Sequence, residues 1–220
     1  MTEFRHELKH EIGAPELLAL RQRLSAVLTS DRHSDSGRYT VRSLYFDDAR
    51  DSALREKLDG VGSRQKFRLR LYNSDPSLIK LEKKIKRNGL CSKLTEPMEA
   101  AAVSALLSGA SWEPSGPLAE ELHARMSAGL RPRTLVDYTR EAFTFPAGNV
   151  RVTLDYDIRT GLDCTAMLDT GCVTVPVPGE PAILEVKWDE FLPDIVRDAV
   201  ALRGVRAGAF SKYAACRAYG

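Results

Sequence analysis

Ser63-Arg64-Gln65-Lys66-Phe67-Arg68-Leu69-Arg70-Leu71-Tyr72-Asn73, followed by Leu78-Ile79-Lys80-Leu81-Glu82-Lys83-Lys84-Ile85-Lys86, decides how this chain is read. The two segments read as strands joined by the turn-forming run Asn73-Ser74-Asp75-Pro76. Side chains alternate across a strand, so Arg64, Lys66, Arg68 and Arg70 share one face and Phe67, Leu69 and Leu71 the other. On the second strand Lys80, Glu82, Lys84 and Lys86 fall together, opposed by Ile79, Leu81 and Ile85. One hairpin thus presents seven cations and one carboxylate on a single face. A half-buried sheet with a solvated outer face would intersperse both signs, because like charges directly opposite one another destabilise a ladder. The imbalance therefore points to a face that binds a strong anion.

At 220 residues, with 28% charged and 43% hydrophobic side chains, the chain reads as one globular domain spanning residues 1–220. A net charge of only +2 excludes a generically basic protein of the histone type. The N-terminus has no apolar signal core, and no run approaches the ~18–20 apolar residues of a membrane span. Cys91, Cys164, Cys172 and Cys216 show no CxxC spacing and read as reduced thiols, and a cytoplasmic location is expected. His6 and His10, four apart on a strand, read as surface residues and not as metal ligands.

Working outward, Glu3 to Ile12 reads as a strand with Arg5, Glu7 and Lys9 on one face. A helix with the apolar stripe Leu17, Leu18, Leu24, Ala26 and Leu28 follows Pro15. After a polar loop from Asp31 to Gly37 comes the strand Arg38–Phe46, which carries Arg42. Asp47 and Asp48 open a helix running to about Leu58. Beyond the basic hairpin, Asn88-Gly89 signals a tight turn into a short strand with Lys93. Helices are expected over Met98–Leu107 and Leu118–Ala128. Strands are expected over Thr134–Phe145, Val150–Arg159, Val173–Pro176 and Ala182–Trp188. Asp189 to Leu202 reads as a helix interrupted near Pro193, and a last helical segment begins at Phe210. Eight or nine strands, mostly in hairpins, with helices at intervals, predict an antiparallel α+β fold. Charged faces recur in Arg5/Glu7/Lys9, Arg151/Asp155 and Glu185/Lys187. If the sheet closes into a barrel with these faces inward, its interior is a cation-rich channel holding a few carboxylates.

The ordered segments Arg5-x-Glu7-x-Lys9, Ser43-Leu44-Tyr45-Phe46-Asp47, Lys66 to Tyr72, Leu81-Glu82-Lys83-Lys84, Tyr138 to Phe143, Arg151 to Asp155, Leu184-Glu185-Val186-Lys187 and Ser211-Lys212-Tyr213 resemble a known family. They are similar to the catalytic domain of the vacuolar transporter chaperone (VTC) complex, a polyphosphate polymerase domain of the triphosphate tunnel metalloenzyme superfamily. The resemblance runs over about residues 3–217. It implies an antiparallel barrel with flanking helices, a tunnel lined by Lys and Arg, and a divalent metal, Mn²⁺ or Mg²⁺, held by a Glu. It also implies transfer of the γ-phosphate of ATP to a growing polyphosphate chain. Carried over by motif, Lys9 sits by the reacting phosphates, Arg68 and Arg70 grip phosphate, and Lys84, Lys93, Arg140 and Arg151 line the tunnel. Lys212 meets the product chain, and Arg42, Lys66 and Lys187 complete the phosphate-binding set. Glu185 binds the metal, with Glu7 and Glu82 as alternatives. Arg5 stands where the hydrolytic branch of the superfamily has Glu. The eukaryotic complex has phosphate-sensing and membrane domains that this chain lacks, so a membrane-protein partner stays open.

The chemistry of the residues agrees. Phosphoryl transfer relies on positioning and charge stabilisation more than on covalent help. Arg grips phosphate oxygens bidentately and Lys supplies a compact point charge. No P-loop sequence is present, so phosphate is not cradled in that way. Two alternatives share the channel: a hydrolase of tripolyphosphate or nucleoside triphosphates, and a non-catalytic module that binds polyphosphate. Nucleic acid is disfavoured as a partner, since carboxylates interleave the cations and no aromatic platform accompanies them.

Overall fold

A computed structural model describes residues 4–31, 37–202, 204 and 207–218. Its elements in chain order are β1 (His6–Ile12), α1 (Ala14–Val27), β2 (Thr29–Ser30), β3 (Arg38–Asp47), α2 (Ser52–Leu58), β4 (Ser63–Tyr72), β5 (Ile79–Arg87) and β6 (Leu90–Met98). They continue with α3 (Ala100–Ser108), α4 (Pro117–Ser127), β7 (Arg131–Phe145), β8 (Val150–Gly161), β9 (Thr174–Pro176), β10 (Ala182–Trp188), α5 (Asp194–Ala199) and α6 (Lys212–Arg217). The antiparallel α+β class is as expected. The start of the expected first strand at Glu3 and most of the polar loop after Asp31 lie outside the described residues.

The strands form one antiparallel sheet in the order β1-β10-β8-β7-β3-β4-β5-β6, with β2 on β7 and β9 on β8. The sheet curls until its two edges meet, but they are not zipped into a closed barrel. Among the described residues the seam is a single bridge, Arg5 to Cys91, with reciprocal backbone hydrogen bonds of 2.9 and 3.0 Å. Side chains hold the seam further along: Lys84 of β5 lies 2.9 Å from Glu7 of β1, and the Cys91 thiol donates to the same carboxylate at 3.3 Å.

The β4–β5 hairpin has the predicted alternation. Its register sets Arg64 opposite Lys86, Lys66 opposite Lys84, Arg68 opposite Glu82 and Arg70 opposite Lys80. Three of these four facing pairs are like-charged. Asn88 and Gly89 both take positive φ, 48° and 88°, as a two-residue turn between β5 and β6 demands, and glycine meets that without a Cβ penalty. The strand after the turn is nine residues, longer than expected, because its whole length finds a partner in β5. Between Asp189 and Leu202 only Asp194–Ala199 is helical, since Pro193 sits as the residue before the helix.

The apolar faces point outward, under the helices. Leu44, Phe67, Leu69, Leu71, Ile79 and Leu81 pack beneath Val103 and Leu106 of α3 and Leu118, Ala119 and Leu122 of α4. Leu20 and Leu24 of α1 and Val196 of α5 cover Val152, Leu154, Leu184 and Val186. Each fully buried Leu or Val contributes on the order of 1.5–3 kcal/mol. With the helices outside, the charged faces are turned inward. Two helices depart from this: α6 packs on the inner side, with Tyr213 and Cys216 against Val136, Ile158 and Ile183, and α2 reaches it through Leu54. Asp47 fixes α6 there. Its carboxylate accepts from the amides of Ala53 (2.9 Å) and Leu54 (3.1 Å) of α2 and from the Tyr213 hydroxyl (2.6 Å).

Candidate active site

The inward faces enclose a cavity of about 980 Å³. Among the described residues, fifteen lysines and arginines line it, against the three acids Glu7, Asp75 and Glu185. Every strand of the curled sheet except β3 and the short β2 and β9 sends charge to it. Lys9 comes from β1, Lys66, Arg68 and Arg70 from β4, Lys84 from β5 and Lys93 from β6. Arg140 comes from β7, Arg151 from β8, Lys187 from β10 and Lys212 from α6.

Three buried carboxylates and the half-buried Glu7 organise these cations. Glu185, 6% exposed, lies 2.9 Å from Lys9 and 2.7 Å from Lys187. Glu7 lies 2.9 Å from Lys84, 3.5 Å from Lys187 and 3.7 Å from Lys9. On the β1–β10 ladder Glu7 faces Lys187 and Lys9 faces Glu185, so charge alternates in a square. Glu82, fully buried, holds Arg68 at 2.6 Å and Lys93 at 2.7 Å, with Arg70 at 3.7 Å. Asp155, also fully buried, takes Arg140 through two hydrogen bonds of 2.6 and 2.8 Å and Lys212 at 2.6 Å. Charge-assisted pairs of this kind suit groups withdrawn from water.

Burial pushes each carboxyl up, but the cations win. Against burial and the nearby Glu185, Lys84, Lys9 and Lys187 hold Glu7 at about 2. Asp155 is likewise held at about 2, with Arg140 and Lys212 outweighing burial. Glu82 and Glu185 also lie well below the carboxylate range, through Arg68, Arg70 and Lys93 in the first case and Lys187, Lys9 and Lys84 in the second. Burial would lower the Lys9 ammonium, but Glu185 and Glu7 raise it above the usual lysine value. Lys66 has no such carboxylate. Burial and the charges of Lys84, Arg68 and Lys9 depress it to about 7, with Tyr45 opposing them.

Tyrosines set the arginine positions. The Tyr45 hydroxyl accepts from Arg68 at 2.9 Å, that of Tyr138 from Arg70 at 3.0 Å and that of Tyr39 from Arg151 at 3.1 Å. Tyr138 does more: Lys212 Nζ stands 4.8 Å from its ring centroid and Arg140 Cζ 5.2 Å, within cation–π range.

Of the residues expected at the site, Arg42 and Glu82 do not line the cavity. Glu82 lies directly behind it, as counter-ion to the arginines. Arg42 is on the wrong face. On β3 it is Tyr39, Ser43 and Tyr45 that meet the inward cations, so Arg42 points outward with Leu44 and Phe46. Its guanidinium makes bidentate hydrogen bonds to Asp137 (2.9 and 2.8 Å) and donates to the Asp169 carbonyl. It is a structural ion pair on the outer wall. Sequence reading missed Asp155 as a counter-ion and all three tyrosines. Asp155 stood on the same face as Arg151, and only the pairing of β7 with β8 reveals that it faces Arg140.

Glu7 and Glu185 are the donors in this cavity that fit a divalent metal: ionised oxygen ligands in its wall. Among the described residues no three His, Cys, Asp or Glu side chains form a set that could hold a metal by themselves. Mg²⁺ and Mn²⁺ do not require one, since they commonly use one or two carboxylates and complete their shell with water and phosphate oxygens. No described helix is long and apolar enough to cross a membrane.

The family model of the VTC domain matches residues 4–219. No curated protein matches the chain in sequence. Among solved structures, the chain is similar to a Bacillus halodurans protein named as a candidate adenylate cyclase, with 13% identity, TM-score 0.56, and 84% of this chain and 81% of that one covered. It is also similar to HpAC1 from Hippeastrum, a candidate adenylyl cyclase described as having a dominant triphosphatase activity. There the identity is 15%, the TM-score 0.57, and the coverage 99% of this chain and 96% of that one. These likenesses concern the fold.

Proposed function

This chain belongs to the VTC domain family, and on that premise we propose that it is a metal-dependent polyphosphate polymerase. It transfers the γ-phosphate of ATP to a growing polyphosphate chain inside the cavity. The observation that carries the reading is the lining itself, fifteen cations to three acids around about 980 Å³. Positive charge gathered along a cavity in this way attracts a strong anion between the walls. Phosphate chains match it in charge and in the bidentate geometry that Arg68, Arg70 and Arg140 offer.

On this reading Arg68, Arg70, Lys84, Lys93 and Arg140 grip phosphate oxygens, and Lys66, Arg151 and Lys187 add to the grip. Lys212, held between Asp155 and Tyr138, meets the chain from α6. Glu185, with Glu7, holds Mn²⁺ or Mg²⁺, which when bound draws charge off the phosphate oxygens. Lys9, already beside both carboxylates, stabilises the charge that develops on the transferred group.

Transfer to a phosphate chain needs no protein base to activate its nucleophile. The end of a phosphate chain brings its own ionised oxygen as nucleophile. The second reading is a triphosphate hydrolase on the same cavity, favoured by the likeness to the Hippeastrum protein. Product analysis after incubation with ATP and Mn²⁺ separates them: polymer and ADP for the first, free phosphate for the second.

A further inference from the structure

Ten of the fifteen cavity cations have a carboxylate within 4.0 Å among the described residues; Lys57, Arg64, Lys66, Lys80 and Lys86 do not. Lys80 stands apart, 5.3 Å over the Tyr72 ring. The other four are together. Arg64 and Lys86 face each other on the β4–β5 ladder, where like charges oppose pairing, and Lys66 is next along β4. Lys57 comes in from α2, and its ammonium is lowered by burial and by Arg64, Lys86 and Lys9. A second cavity of about 420 Å³ continues from this point. It shares Ala53, Arg64, Gln65 and Lys66 with the first and carries Arg87 and Arg125 among its lining. The acids there are Asp47 and Asp48, which accept from backbone amides, and Glu56.

Elsewhere in the cavity the protein supplies its own counter-charge. Among the described residues these four cations have no carboxylate within 4.0 Å, and a further cavity adjoins them, which leaves their counter-charge to a ligand that reaches beyond the main site. We propose that Lys57, Arg64 and Lys86, leading past Lys66 to Arg87 and Arg125, form an extension subsite that holds the part of a long inorganic polyphosphate chain emerging from the main cavity. The inference rests on the proposed function and makes long-chain polyphosphate, beyond a triphosphate, the ligand that the protein is built around. A triphosphate is too short to occupy both places, whereas a long chain joins two sets of contacts and binds tighter for it.

The test is a metal-free titration of the full chain and of its Lys57→Gln/Arg64→Gln/Lys86→Gln variant with tripolyphosphate and with long-chain polyphosphate, at two salt concentrations. The variant should lose about tenfold or more in affinity for the long chain, with a shallower salt dependence, while tripolyphosphate binding stays within about twofold. Equal losses for both ligands, or no loss for the long chain, overturn the subsite and leave the functional reading standing. An unsubstituted protein that binds neither ligand overturns the functional reading and the subsite with it. Removing like charges should hold or raise the melting temperature; should the triple variant fail to fold, Lys57→Gln alone carries the same comparison.

Discussion

Lys9 Nζ lies 2.9 Å from Glu185 Oε2, and the two residues stand directly opposite each other on the β1–β10 ladder. The carboxylate proposed to hold the metal is thus neutralised by the lysine proposed to act on the transferred phosphate. Both sit in the wall of the cavity, and Glu7 and Lys187 complete the square. Glu185 would hold a divalent metal and Lys9 a phosphate, each taking the other's place as counter-charge within the square. No buried charge is left bare in the process.

Glu185→Gln tests the metal half of that exchange. The amide keeps size and hydrogen-bonding capacity but lacks the charge a divalent cation requires. Turnover with Mn²⁺ or Mg²⁺ should fall by orders of magnitude, about 10²-fold or more. Metal-free polyphosphate affinity should hold or rise, since a repelling carboxylate is gone. Unchanged metal-dependent turnover would remove Glu185 as an essential ligand and turn attention to Glu7.

Lys9→Ala tests the other half. A contact made mainly in the transition state lowers kcat without raising KM in proportion. The expected loss is about 10²–10³ in kcat, with ATP still bound. Lys9→Arg should rescue poorly, because a planar fork does not fill the place of a point charge. Parallel losses of ATP affinity and rate would make Lys9 an ordinary binding residue.

Tyr138 offers a test of how the cations are positioned. Its hydroxyl takes Arg70 while its ring face takes Lys212 and Arg140. Tyr138→Phe loses only the first contact and should weaken tripolyphosphate binding severalfold, with the melting temperature nearly kept. Tyr138→Leu loses the face as well and should weaken binding further than the Phe variant, by another ~0.5–2 kcal/mol. Equal binding by both variants would confine Tyr138 to filling space.

How far the sequence led differs from strand to strand. On β4 and β5 the alternation of Lys and Arg with Leu, Ile and Phe is nearly unbroken, so parity alone names the inward face. On β3 the only cation in the inner stretch is Arg42, and the inward face is marked by Tyr39, Ser43 and Tyr45. Charge was the wrong guide there. Counter-ions are harder still. Glu82 stands opposite Arg68 in one hairpin and could be paired by counting, whereas Glu7 meets Lys84 across a seam between strands 77 positions apart. Nothing in the periodicity of either strand carries that contact. The inward seat of α6 was equally hidden, since it depends on Asp47 receiving the Tyr213 hydroxyl from 166 residues away.

The cavity should also couple anion binding to protons. In the empty protein Lys66 is depressed to about 7, by burial and then by Lys84, Arg68 and Lys9. Tyr45 is brought down to about 7, because Arg68, Lys66 and Arg70 outweigh burial. A bound polyanion favours the protonated form of either group and raises both. Binding therefore takes up protons above pH 7. Affinity for tripolyphosphate should strengthen as pH falls from about 9 to 7 and add little from this pair below that. Calorimetry in buffers of different ionisation enthalpy at pH 8 reads the uptake, corrected for the ligand's own titration. Lys66→Gln should reduce it; an uptake identical in the variant would place the proton elsewhere.

The most direct test of the account is ³¹P NMR of the products formed from ATP with Mn²⁺ by the unsubstituted protein. The account predicts ADP together with signals of phosphates inside a chain, growing with time and absent when the metal is chelated. ADP and orthophosphate without any signal of chain phosphates, or no metal-dependent turnover at all, would contradict it.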